Sequence, residues 1–379
     1  MPAPPAAPVV CEEAPWRLTT VAREPLIMEP ALAVAPSGQV HVTWTRGGLG
    51  LARGLRPGLV HGTLTASSEW TLHELSEQGN ASSLAVDSSG GLWVSFHADR
   101  SLMLAHRSPD GTWSTSTVEP PPDESTEDVG IASAIALGPN GEVHIAYYVE
   151  RNGEPDQLRH AVRGESGWTT ETVDDDLESA DRNPHPHLAI GPDGTSHIVY
   201  IGNRQDEEPR LRPLLHASRE RGGSWRTQPI ADVSSTQNGF ENVLALDATG
   251  ALHVTYHAHG TFDRERGFTE LRYAHRPAGG TWRNERWEWP PHVGGDVPIA
   301  VDRDGRVHVT YLAVDGEQDR VAHAEGSAPS FRHTTVAGAS TFIQRLVVDE
   351  RGGAHVLFVE RGRLQYGYLG PCATRRAGS

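Results

Sequence analysis

The chain has 379 residues, 49 acidic side chains against 33 basic ones, a formal net charge of −16 and two cysteines. That charge argues against a nucleic-acid backbone as ligand, and no run is long and apolar enough to span a membrane. All 33 basic residues are Arg, because the chain contains no lysine, which excludes Schiff-base and lysine-base chemistry.

Residues 1–10 are a Pro/Ala-rich tail, disordered or introduced with the expression vector, and no secretory leader is readable in them. Cys11 follows, then Trp16-Arg-Leu-Thr-Thr-Val, which reads as a lone strand. From there one phrase recurs seven times: a short apolar run, a turn with a fixed Gly, and a strand opening with His and an aromatic. It reads LAVAPSGQVHVTW around Gly38 and LAVDSSGGLWVSF around Gly90, and returns around Gly141, Gly194, Gly250, Gly305 and Gly352. The glycines lie about 47 to 56 residues apart, the period of a propeller blade built from four short strands.

Within each unit the segments are short and rich in Val, Ile, Tyr and Thr, as strands are. The first strand, such as Leu84-Ala85-Val86, is apolar throughout and suits burial on both faces. A third strand carries Leu-x-His/Tyr-Ala/Gly, as in Leu158-Arg-His-Ala and Leu271-Arg-Tyr-Ala. Trp70, Trp113, Trp168, Trp225, Trp282 and Phe331 mark six fourth strands. The last unit stops after its third strand, at Tyr368, so the Trp16 strand is expected to complete it and close the ring without an open edge. The fold expected is all-β: a closed seven-bladed β-propeller over 11–373, with 374–379 as a C-terminal tail. Cys11 and Cys372 flank the closing strand pair; a disulfide between them would replace the missing hairpin, and two free buried thiols are the alternative. A disulfide would favour a secreted or periplasmic protein.

The repeat also sorts the 20 histidines. His41, His144, His197, His253, His308 and His355 share the second-strand position; His61, His160, His216 and His323 share a third-strand one; His106 and His275, and the fourth-strand His73 and His333, complete fourteen that recur with the blades. Such residues serve blade packing or turn hydrogen bonding. The six left, His97, His185, His187, His257, His259 and His292, fall at second-strand ends or first-strand starts, which share one face around the central funnel. Nine residues before the turn glycines stand Glu29, Ala81, Ala132, His185, Glu241, Asp296 and Ile343; two residues deeper are His187 and Arg345. Arg46 and Tyr148 end second strands. The long connections 120–130, 174–184, 202–213, 257–270 and 287–295 reach the same face, where loop-built sites are commonly found.

Three chemistries fit that funnel. Imidazoles from neighbouring blades with Glu241 or Asp296 form a mixed N/O set for Zn, Cu or Mn, with His185, His257 and one of His187, His259 or His292 as the best trio and His97 nearby. Paired carboxylates among Glu29, Glu241 and Asp296 suit glycoside hydrolysis. His and Tyr148 could move protons in β-elimination of a uronic acid, with Arg46 or Arg345 neutralising its carboxylate. A lectin or a non-catalytic interaction scaffold stands beside these enzyme readings. The ligand expected is a small molecule or saccharide, bound by a monomer with no nucleotide cofactor.

The units Leu-Ala-Val-Asp-x-x-Gly-x-x-His-Val-x-Tyr and Leu-x-Tyr-Ala-x-Arg…Gly-x-Trp resemble the sialidase-like BNR-repeat propellers of bacteria over about 360 residues. Ser108-Pro-Asp-Gly-Thr-Trp113 resembles a shortened Asp-box turn. The resemblance implies the architecture and not an activity. The Phe-Arg-Ile-Pro motif of true sialidases is absent, and no catalytic residue of seven-bladed lyase or lectin relatives transfers to a numbered position here.

Overall fold

The seven Gly-bearing turns set the blades. Gly38, Gly90, Gly141, Gly194, Gly250, Gly305 and Gly352 all sit at φ between 77° and 88°, a conformation glycine adopts without steric cost. The structure, a computed structural model, describes residues 15–371 except 48–57, 123–125, 178–185, 204–210, 235–241, 258–270, 288–292, 295–296, 316–317, 328–329 and 339–343. Seven antiparallel sheets follow one another along the chain. Blade 1 is Ile27–Val34, Val40–Arg46, Gly58–Leu64 and Trp70–Ser76, and blade 2 is Asn80–Val86, Leu92–Ala98, Ser101–Arg107 and Trp113–Glu119. Blade 3 comprises Asp128–Leu137, Val143–Glu150, Asp156–Gly164 and Gly167–Leu177; blade 4 comprises His187–Ile190, Ser196–Ile201, Leu211–Arg219 and Arg226–Ser234. Blade 5 is Val243–Leu246, Leu252–His257, Leu271–Arg276 and Arg283–Arg286. Blade 6 is Ile299–Val301, Val307–Asp315, Gln318–Ser327 and Ser330–Gly338, with Val293–Gly294 paired on the same second strand.

Blade 7 takes Gln344–Val348, Ala354–Glu360 and Arg363–Leu369 from the end of the chain, and its fourth strand, Arg17–Arg23, from the beginning. Arg17 pairs with Tyr368 and Arg23 with Arg363, as the truncated last repeat predicts. First strands of successive blades touch around the axis, and that of blade 7 touches that of blade 1. The seven-bladed propeller is therefore closed. Cys11 and Cys372 lie outside the described residues, as do both terminal tails. No helix among the described residues is long and apolar enough to cross a membrane.

Second strands are the most buried, because each faces a neighbouring sheet on both sides: Val143–Val149 is buried at every position. Blades are joined by a repeated polar clasp. The second-strand imidazole lies with its Nδ1 near the third-strand Nε2 in His41/His61 (3.2 Å), His144/His160 (3.2 Å), His197/His216 (3.0 Å) and His308/His323 (3.2 Å). In blades 5 and 7 a tyrosine replaces the third-strand histidine: the hydroxyls of Tyr273 and Tyr366 lie 2.7 and 2.6 Å from Nδ1 of His253 and His355. Nε2 of His253, His308 and His355 faces the turn carboxylates of Asp247, Asp302 and Asp349 at 3.2–3.4 Å. The other oxygen of each carboxylate accepts two backbone N–H groups of the turn. The carboxylate thus fixes the proton on Nε2 and leaves Nδ1 to accept the tyrosine O–H.

The third-strand ring is then covered by the next blade. Trp113 meets His61 edge-on, as Trp225 meets His160, Trp282 meets His216, Trp16 meets His323 and Trp70 meets Tyr366, with centroids 5.1–5.5 Å apart. These are the edge-to-face geometries that aromatic quadrupoles favour. The recurring histidines are structural.

Burial holds six of these imidazoles neutral: it lowers His41, His144 and His197 to about 4 and His61, His216 and His323 to about 3. The unfolded chain titrates near 6.5 and so binds more protons between that pH and about 4. The neutral rings' contribution is therefore complete above pH 6.5 and is lost as pH falls towards 4. The melting temperature should fall by more than about 5 °C between pH 7 and pH 5; a flat thermal-denaturation profile over that window would contradict the buried-imidazole account.

Candidate functional site

The central channel is lined by first strands, and their alternation assigns its wall. Residues seven before the turn glycine are half-exposed on most blades: Ala31, Ser83 and Ala134 on blades 1 to 3, then His187, Val243 and Arg345 on blades 4, 5 and 7. Their neighbours, eight before the glycine, are buried between blades. Ser82 meets Thr43 Oγ1 at 2.9 Å, and Ser133 meets Ser95 Oγ at 2.8 Å. Between blades 5 and 6, Thr255 Oγ1 donates to the Val297 carbonyl at 2.6 Å. Blade 4 offers Val199 at the position of those hydroxyls. Asn242, opposite it on blade 5, is 1% exposed, and neither its Nδ2 nor its Oδ1 has a hydrogen-bond partner among the described residues. A buried, unpartnered amide is costly, and the junction of blades 4 and 5 lacks the hydroxyl pair seen between blades 1 and 2 and between blades 2 and 3.

Several expected site residues are engaged elsewhere. Glu29 Oε2 accepts the Ala81 N–H at 2.7 Å and the Thr45 hydroxyl at 3.5 Å, so its carboxylate fastens blade 1 to blade 2. Glu29, Ala81 and Ala132 share φ near 50° at a repeated bulge, which turns each first strand as it enters the ring. Arg46 turns away from the funnel, crosses Gly58 where a Cβ would lie 3.4 Å from its Nη2, and pairs with Glu74 on the outermost strand at 2.8 Å. Tyr148 is fully buried, packed between blades 3 and 4 with Leu158, Ile198 and Tyr200, because a second strand has no solvent face. His97 lies with Nε2 2.5 Å from Asp128 and Nδ1 3.3 Å from Asn80, bridging blades 2 and 3 on the funnel side.

His187 and Arg345 lie half-buried on the first strands of blades 4 and 7, paired with Val199 and Leu357. His185, Glu241, His259, His292 and Asp296 lie outside the described residues; His257 ends the second strand of blade 5, and its side chain also lies outside them. The connections are shorter than the sequence suggests, since strands begin at Asp128 and Leu211 and one continues to Leu177.

Among the described residues, the donor atoms spaced for a metal are those of His308, His323 and Glu325, within 4.8 Å of one another on the turn face. The set fits a metal poorly. The same imidazole pair recurs at 3.0–3.2 Å in three other blades as a hydrogen bond, and Glu325 Oε1 accepts both Nε (3.1 Å) and Nη2 (2.7 Å) of Arg332. These contacts belong to the clasp.

The turn face also carries a feature that sorting by histidine passes over. Arg107, Arg163, Arg219 and Arg276 stand at one position, three residues after the third-strand His, Tyr or Leu, on blades 2 to 5. Arg163 lies over the Trp93 ring of the preceding blade, 5.1 Å from its centroid. The signal was present in the recurring Leu-x-Tyr-Ala-x-Arg phrase. Two clefts open beside Arg219 and Arg276, of about 420 and 690 Å³.

No family model matches the chain, and no curated protein matches it. Solved structures do. The polysaccharide lyase Uly1 superposes with a TM-score of 0.53 at 10% identity, covering 90% of this chain and 89% of that one. The GH93 α-L-arabinofuranosidase of Fusarium graminearum, in complex with arabinobiose, gives 0.52 at 12%, covering 77% and 93%. A mutant NanB sialidase from Streptococcus pneumoniae gives 0.51 at 10%, covering 92% and 70%. Identities this low establish shared fold, and the sialidase-like propeller architecture expected from the repeat is borne out.

The geometry gives Glu29 and Arg46 structural contacts of different strength. Glu29→Ala removes a charged acceptor from the buried Ala81 amide and should destabilise the protein by roughly 1–3 kcal/mol in chemical denaturation. Arg46→Ala breaks an exposed ion pair and should cost less than about 1 kcal/mol. A Glu29→Ala protein of unchanged stability would remove the structural assignment.

Proposed function

We propose that the chain is an extracytoplasmic carbohydrate-active propeller that takes a saccharide at the funnel mouth on blades 4, 5 and 7. The carrying observation is the asymmetry of the channel wall: small side chains on blades 1 to 3, then His187 and Arg345, with the unpartnered Asn242 amide behind them. A guanidinium at the channel wall suits the carboxylate of a uronic acid, which it can bind through two parallel N–H groups. The fold shared with a polysaccharide lyase and two glycoside-cleaving enzymes is compatible with this reading.

Lyase and hydrolase chemistry differ in what the site must supply. In β-elimination a base removes the proton α to the uronate carboxylate, and the developing charge is stabilised by the cation on that carboxylate. In this reading Arg345 would contact the carboxylate and His187 would serve as the acid–base group, both at first-strand positions seven before the turn glycine. Hydrolysis would instead need two carboxylates, and of the three expected, Glu29 is committed to Ala81. Glu241 and Asp296 would then form the hydrolytic pair, and the guanidinium at the channel wall is what favours elimination in this reading. A funnel metal, of the Zn, Cu or Mn class, remains part of the proposal through His185, His257, His259 and His292.

The test is a screen of uronate polysaccharides against neutral ones, following the conjugated unsaturated product for elimination and reducing ends for hydrolysis. Elemental analysis of untagged protein is run alongside. Arg345→Gln should lower the uronate rate at least tenfold, about the loss of one charged transition-state contact, while Arg46→Ala leaves it within about twofold. Uronate cleavage that survives Arg345→Gln would remove this residue's role, and cleavage confined to neutral glycans would replace elimination by hydrolysis.

A further inference from the structure

The two turn-face clefts are copies of one site built twice by the repeat. His144, Glu171 and Arg219 line the cleft between blades 3 and 4; His197, Gln228 and Arg276 line the one between blades 4 and 5, position for position. Both guanidinium groups are anchored alike: Nε of Arg219 donates to the Gly223 carbonyl at 3.0 Å, and Nε of Arg276 donates to the Gly280 carbonyl at 2.9 Å. Both acidic or amide partners also reach the third-strand imidazole of their own blade. Glu171 Oε1 lies 3.2 Å from His160 Nδ1, and Gln228 Nε2 lies 3.1 Å from His216 Nδ1.

One substitution separates the copies. Between blades 3 and 4, Arg219 is paired with the Glu171 carboxylate. Between blades 4 and 5 an uncharged glutamine stands there, and Arg276 is paired with no carboxylate among the described residues. Burial holds the Arg276 guanidinium below the usual arginine pKa, with no anion offsetting its lost hydration. Asp193 and Glu220 line the same cleft, and Asp193 Oδ1 is taken by the Thr195 N–H at 2.9 Å. Ser218, Ser224, Thr227 and Thr249 also line the cleft. A volume of about 690 Å³ falls within the roughly 300–1,000 Å³ typical of small-ligand clefts and far exceeds a lone inorganic anion.

We propose that the cleft between blades 4 and 5 on the turn face binds an acidic saccharide, with its carboxylate or sulfate on Arg276 and its hydroxyls on the serine and threonine wall. The site is separate from the funnel and involves no chemistry. It would hold an acidic glycan on the face opposite to the channel mouth, whether or not the funnel acts on it. The copy between blades 3 and 4 is silent, because Glu171 occupies its arginine internally.

Titration calorimetry with digalacturonate, galactose 6-sulfate, neutral galactobiose and inorganic sulfate, at one ionic strength, tests this. In the Arg345→Gln background, which removes the uronate contact proposed for the funnel, one site per chain is expected for at least one acidic sugar, the two acidic arms distinguishing carboxylate from sulfate. Galactobiose and inorganic sulfate should bind at least tenfold more weakly, as should the acidic sugar to Arg276→Gln. Ser224→Trp, at an exposed lip residue, fills the cleft without touching the arginine and should have the same effect. Glu171→Gln gives blade 3 the residue that blade 4 already carries, and should raise the stoichiometry from one site to two. Binding retained in Arg345→Gln separates this cleft from the funnel. The proposal is overturned if neither acidic sugar binds, if inorganic sulfate binds as tightly as the sugars, or if binding survives both Arg276→Gln and Ser224→Trp.

Discussion

The propeller depends on one recurring interaction: a buried imidazole held by its own blade and covered by the next. The turn carboxylate of Asp247, Asp302 or Asp349 holds Nε2, a third-strand His or Tyr engages Nδ1, and an outer-strand Trp of the following blade closes over that partner in most junctions. Each blade is a small sheet that could not bury both its faces alone, so stability comes from the contacts between neighbours. The clasp satisfies polar groups at the junction's turn side, while apolar second strands fill its middle. Closing the ring with Arg17–Arg23 extends the same contact to the last junction, where Trp70 of blade 1 meets Tyr366 of blade 7.

A repeat that uses polar residues for packing hides function among its own ornaments of charge and imidazole. The informative positions are those where the pattern is broken. Near the channel, Asn242 stands opposite Val199, where the junctions of blades 1 and 2 and of blades 2 and 3 pair hydroxyl groups. On the turn face, Gln228 stands where blade 3 has Glu171, so Arg276 lacks the counterion that Arg219 has. Both differences fall at the junction of blades 4 and 5. A desolvated cation or amide without a partner is disfavoured in the folded chain, which is why such breaks point to ligands more sharply than the abundance of a residue type.

Residues singled out from spacing fared unevenly for a common reason. His187 and Arg345 lie half-buried on first strands, where alternation along the strand decides which side chains leave the blade interface. Arg46 and Tyr148 sit at second-strand ends, where direction is set by neighbours rather than by register: Gly58 opens a path for Arg46 to Glu74, and Tyr148 is enclosed by blade 4. Glu29 was expected at the funnel mouth and is there, but the backbone amide of the next blade claims its carboxylate.

The sequence by itself determined the number of blades, the order of strands in each, the borrowed closing strand and the structural nature of the recurring histidines. All of these follow from periodic local signals: a positive-φ glycine, an apolar run and an aromatic at fixed intervals. Only the tertiary structure decided which charges are spent. Arg219 and Arg276 occupy the same place in the repeat and have the same backbone anchor, yet one is neutralised and the other is not. That difference arises across a blade junction, between residues 48 apart in sequence (Glu171 and Arg219), where contact depends on how two sheets pack.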